Sequence, residues 1–139
     1  MTPASPRPSE RAVVAAVAAG GVIGAEARYG LAALQPHASG TWPWATLVTN
    51  LLGSLLIGVL MTLLQRGPTA PHPLLRPFLA IGVLGGFTTF SAFVVDTDAL
   101  LRAHRPGVAL AYVLVSVAGC LAATAVGIAA TRRRAGGRA

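Results

Sequence analysis

The sequence predicts an all-α membrane protein with four transmembrane helices, the third broken at mid-membrane. Three observations carry this. The chain of 139 residues is 54% hydrophobic and only 11% charged, with a mean hydropathy of +0.66; a soluble domain carries about twice that charged fraction. Its apolar residues fall into four runs, each covering the ~20 residues that a hydrocarbon core requires. The third run holds Gly85-Gly86-Phe87-Thr88-Thr89-Phe90-Ser91 at its centre. That is a poor helix interior, because glycine costs about 1 kcal/mol against alanine there and threonine loses side-chain freedom.

The elements follow in order. Residues 1–11 are polar and rich in proline and read as a disordered tail, with no cleavable signal peptide evident. The first span runs from Ala12 to about Leu34 and contains Glu26 and Arg28. Residues 35–43 form a loop, with Trp42 and Trp44 suited to a membrane interface. The second span, about Trp44 to Leu64, has no charge. A Pro-rich turn at 66–73 leads to the third span, about Leu74 to Leu100, with Asp96 and Asp98 near its far end. A tight Arg102–Gly107 connection precedes the fourth span, Val108 to Ala130. Residues 131–139 are a basic tail, so residues 12–130 constitute one transmembrane domain.

Charge sets an expected orientation. All eleven basic residues are arginine. With four spans, Arg7, Arg11, Arg66, Arg76, Arg132, Arg133, Arg134 and Arg138 share one side, and Arg102 and Arg105 lie on the other. This places both termini in the cytoplasm of a multi-pass protein of the cell inner (plasma) membrane. Because the arginines sit at span ends, the basic pI reflects topology and not nucleic-acid binding. His37, His72 and His104 all fall in loops without metal-ligand spacing, and no Ser-His-Asp set can be assembled within the spans, so no enzyme is expected. The single Cys120 excludes an intramolecular disulfide.

Three helix faces carry small or polar residues at every fourth position. They are Gly20, Gly24 and Arg28; Thr46, Asn50, Ser54 and Gly58; and Tyr112, Ser116, Cys120 and Thr124. Most of these serve close helix packing. Asn50 differs, since an amide within a membrane is costly unless bonded. Backbone may leave the helix at membrane depth only where it is buried in protein or lines a wet cavity, and in transporters such breaks hold ions. The break therefore points to a small ion as the substrate.

The stretches Gly20–Tyr29, Trp44–Gly58 and Gly85–Phe93 together resemble the Fluc-type fluoride channels, the CrcB-like family. The resemblance covers all four spans, and its third motif is specific. It implies an antiparallel, inverted dimer of dual topology, with two pores at the subunit interface through which fluoride leaves the cytoplasm by passive electrodiffusion. A structural sodium ion at the dimer centre would be held by the backbone carbonyls of Gly85 and Thr88. Asn50, Phe90 and Phe93 would line the pore, with a hydroxyl track of Ser91, Tyr112 and Ser116, and Arg28 would serve a structural or vestibule role. The strong arginine bias departs from a family that inserts both ways. It leaves either a homodimer or a heterodimer with an oppositely oriented homologous subunit. Asp96 stands where relatives often carry Glu, at a possible pore mouth. Two other readings stay open: a small proton-coupled multidrug exporter using Glu26, and a non-transporting membrane subunit.

Overall fold

A computed structural model describes residues 8–35, 38, 40–66 and 72–136, with backbone alone for residues 66 and 134–136. The expectations for residues 1–7, 67–71 and 137–139 lie outside the described residues, as do those for His37 and the rest of positions 36, 37 and 39. The described chain is all-helical. Helix α1 spans Glu10–Leu34, α2 Trp44–Arg66, α3 Leu84–Phe87, α4 Ser91–Arg102 and α5 Pro106–Gly136. A π-helical segment, Pro77–Val83, runs directly into α3. Four stretches are long and apolar enough to cross a membrane: Glu10–Leu34, Trp44–Gln65, Pro77–Arg102 and Pro106–Arg133. The protein is a multi-pass membrane protein.

Local chemistry explains the helix ends. Ser9 caps α1, its hydroxyl accepting the Ala12 N–H at 3.2 Å, and Glu10 sits in the first turn where the helix dipole favours an anion. The end of α4 is a Schellman turn. The Arg105 N–H reaches the Leu100 carbonyl and the His104 N–H the Leu101 carbonyl, both at 3.0 Å. His104 takes the left-handed conformation (φ 56°) that glycine usually fills. Pro106 then opens α5, at the one helical position where its missing N–H costs nothing. Helix α5 continues past Ala130, where the span was expected to stop, to Gly136.

The spans pack as two close pairs. In one, α2 and α5 run in the same direction. A Cβ on Gly58 would overlap the Thr124 carbonyl and one on Gly127 the Leu55 carbonyl, so the two backbones nearly touch. Thr124 Oγ1 donates across this seam to the Ser54 carbonyl at 3.0 Å. In the other pair, α1 lies against the π-helical segment and α3. A Cβ on Gly24 would overlap the Val83 carbonyl. Small residues are what permit such approach where water supplies no hydrophobic drive between helices.

The apolar core is correspondingly slight. Leu47, Leu100, Ala109 and Tyr112 form the buried cluster, with Trp42, Leu51, Phe93 and Val108 packed on it. Large side chains face outward along every span, among them Val22, Tyr29, Leu56, Ile81, Phe90 and Leu121. A soluble monomer does not expose apolar surface on this scale; lipid or another membrane chain must cover it.

Candidate functional site: an interrupted helix beside a hydroxyl-lined cleft

Regular helix ends at Phe87 and resumes at Ser91. Thr88 is extended (φ −76°, ψ 157°), although its N–H still closes the last turn on the Leu84 carbonyl at 2.9 Å and its hydroxyl donates to the same oxygen at 2.9 Å. The next peptide is held from outside. Asn50, on α2, donates through Nδ2 to the Thr89 carbonyl at 2.9 Å and accepts the Thr89 N–H on Oδ1 at 2.9 Å. A primary amide can pair in this way with both polar groups of one residue, as a neighbouring strand would. Thr89 in turn caps α4, its Oγ1 accepting the Ala92 N–H at 3.1 Å and lying 3.2 Å from the Ser91 hydroxyl.

These bonds have a consequence for two carbonyls. In an unbroken helix the Thr89 N–H would bond to the Gly85 carbonyl and the Ala92 N–H to the Thr88 carbonyl. Here the first goes to Asn50 and the second to the Thr89 side chain. The oxygens of Gly85 and Thr88 thus lose their helical donors together. Gly85 is exposed, and a Cβ there would meet nothing nearer than the Ala80 carbonyl at 3.9 Å. Nothing within this chain requires a glycine at 85.

A cleft of about 550 Å³ adjoins the interruption. Two of the stripes seen in the sequence line it side by side: Asn50 and Ser54 from α2, and Ser116, Cys120 and Thr124 from α5. Gly85, Thr88, Thr89, Phe90 and Phe93 complete the wall. Phe90 is 77% exposed at the rim. Ser116 is 5% exposed, and its hydroxyl has no hydrogen-bond partner. From the cleft an aromatic series leads away, with ring centroids 5.8 Å apart for Phe90–Phe93, 5.4 Å for Phe93–Tyr112 and 5.7 Å for Tyr112–Trp42.

The residues singled out in the sequence are therefore only partly brought together. Asn50, Phe90, Phe93, Ser116, Gly85 and Thr88 share the cleft. Ser91 does not line it; its hydroxyl belongs to the cap of α4. Tyr112 is not in the wall either. It is fully buried one turn from Ser116, with an unpartnered hydroxyl near Thr46, Ser116 and Asp96. Arg28 lines a separate cavity of about 330 Å³ with Tyr29, Thr46 and Thr49. Thr89 borders both cavities. Glu26 is exposed on α1 and lines neither of these cavities. Thr89 is the residue that the sequence reading missed. Its signal was present, because a threonine three residues before Ala92 at a helix restart is a cap by position.

Comparison with known proteins agrees across the chain. The family model described as CrcB-like protein, Camphor Resistance (CrcB), matches residues 15–128. A protein of Thermobifida fusca named fluoride-specific ion channel FluC 2 is 53% identical over 119 residues, covering 86% of this chain and 87% of the relative. One of Nocardia farcinica with the same name is 40% identical over 130 residues, covering 94% and 92%. Fluoride-specific ion channel FluC of Rhodospirillum centenum is 46% identical over 119 residues, covering 82% and 94%. With its four spans, its interrupted third stretch and a match along nearly all of its described length, this chain belongs to the CrcB-like family.

Proposed function

We propose that this chain is a fluoride-selective channel subunit that lets fluoride leave the cytoplasm by passive electrodiffusion. The observation that carries the reading is the cleft beside Asn50 and Thr89, which places hydroxyl donors opposite two phenylalanines in a chain whose relatives are named fluoride-specific channels.

Fluoride is small and holds its water tightly, so a narrow passage must replace that water with donors. Ser116 offers a hydroxyl with no other partner. The Asn50 Nδ2 carries two hydrogens, and the Thr89 carbonyl uses one. Phe90 and Phe93 present ring edges, which carry partial positive charge. These donors are neutral, which keeps binding weak enough for exit as well as strong enough for entry.

The reading includes a second subunit. Phe90 and Gly85 are exposed on one chain, and the cleft is open along that side. An inverted partner laid there closes the passage and covers the apolar faces. The carbonyls of Gly85 and Thr88, freed by the bonds to Asn50 and Thr89, suit a hard cation with oxygen ligands. A sodium ion bound there would supply a fixed positive charge to those oxygens. The arginine excess on the side of the termini orients this chain with both ends in the cytoplasm of the inner membrane, which favours a heterodimer with an oppositely oriented homologue. Purification of functional dimers from cells expressing this chain alone counts against the heterodimer.

The test is efflux from liposomes followed with a fluoride electrode, with chloride measured in parallel, in the presence of the partner subunit if one is required. Fluoride efflux that Phe90→Ile abolishes supports the reading. Equal rates for fluoride and chloride, or no flux from well-folded dimers, overturns it.

A further inference from the structure

Three buried side-chain donors among the described residues have no hydrogen-bond partner: Ser116 Oγ, Tyr112 OH and Trp42 Nε1. They do not lie at random. Ser116 is in the cleft wall, Tyr112 is one helical turn before it, and Trp42 packs edge-to-face on the Tyr112 ring at 5.7 Å. Buried tyrosine and tryptophan ordinarily find a partner for the polar end of the ring, so orphans arranged in series call for an explanation.

Ser116 falls within the function proposed above, and Tyr112 stands one turn behind it. Trp42 falls outside that function. It precedes α2, is not among the residues that line the cleft, and belongs to the turn where Arg105 Nη1 donates to the Gly40 carbonyl at 3.3 Å. An indole N–H can only donate. It therefore has no use for a cation and suits an acceptor, above all an anion. Arg105 places a permanent positive charge at the same turn.

We propose that Trp42 is a further halide donor, whose indole N–H holds the permeating ion between the Arg105 turn and Tyr112. The inference rests on the channel reading, and its test separates the two. Trp42 and Trp44 are the two tryptophans, with ring centroids 5.9 Å apart, so the two indole signals are told apart by their loss in Trp42→Phe and Trp44→Phe. The indole ¹H–¹⁵N resonances of the full chain in lipid nanodiscs are followed during titration with sodium fluoride and then sodium chloride. Fluoride efflux is measured for the wild type and for Trp42→Phe, which keeps the ring packing and removes the donor.

The expected result is a saturable shift of the Trp42 resonance with fluoride alone, larger than any shift of Trp44, and a several-fold slower efflux in Trp42→Phe. A Trp42 resonance that ignores fluoride overturns the proposal whatever the variant does, because slower efflux would then reflect packing or a bound water. A shifted resonance with unchanged efflux also overturns it. If the wild type conducts no fluoride but the Trp42 resonance still moves, the channel reading fails and the donor site stands.

Discussion

Replacing Asn50 with leucine tests the centre of this structure. The side chains are similar in size, so the change removes the amide while leaving no large void. Both bonds to Thr89, each 2.9 Å, are lost. Side-chain hydrogen bonds between membrane helices average about 0.6 kcal/mol and reach about 1.7. Two of them, with the Thr89 N–H and carbonyl left without a partner in a part-buried site, give an expected loss of about 1–3 kcal/mol. The loss should not be uniform across substitutions. Asn50→Asp keeps an acceptor for the Thr89 N–H but sets a carboxylate against the Thr89 carbonyl, so it should be worse than leucine for stability. Asn50→Gln keeps both groups on a longer stem and should recover part of the loss. Thermal unfolding of the detergent-solubilised protein, followed by size-exclusion chromatography, provides the readout. Leucine as stable as asparagine would refute the clamp, and with it the reason given for the freed Gly85 and Thr88 carbonyls.

Other expectations follow from single contacts. Tyr112→Phe removes an orphaned hydroxyl while keeping a ring packed on Trp42 and Phe93, so folding should persist and fluoride efflux should fall about tenfold, the effect of about 1.4 kcal/mol on a barrier. Gly24→Val pushes a side chain into the Val83 carbonyl and the Phe87 amide, and should cost about 3 kcal/mol or prevent assembly; Gly30→Ala, inside α1 where a Cβ meets nothing within 4 Å, should raise stability by up to about 1 kcal/mol in the same unfolding assay. His104→Gly relieves the left-handed backbone at the end of α4 (φ 56°) and should raise stability by a few tenths to about 1 kcal/mol, seen as a higher melting temperature.

The legibility of this chain varied with the range of the interactions involved. The four spans were readable because each is a long apolar run, and the end of α4 and the start of α5 because Arg-Pro-Gly punctuates them. The interruption falls on Thr88–Phe90, among the glycines and threonines that are poor in helix interiors. The π-helical turn at Pro77–Val83 left no periodic trace. Nor does the sequence show how near Gly82 comes to Gly20, where a Cβ would lie 2.9 Å from its Cα. Asn50 stood out as a costly amide, but sequence alone did not say that its partner is the backbone of Thr89, 39 positions away. Tyr112 and Ser116 share a stripe at helical spacing, and only packing against Trp42 and Phe93 separates the buried ring from the cleft wall. Arg28 and the cleft residues likewise fall into different cavities for reasons that lie in the pairing of α1 with the π-helical segment.

The most direct measurement is the reversal potential of current through the reconstituted protein in a planar bilayer, with equal and opposed gradients of fluoride and chloride across it. A passage lined by neutral donors and fed by fluoride should reverse at the potential set by the fluoride gradient and ignore chloride. A reversal near zero, or one that follows chloride or protons, would contradict it.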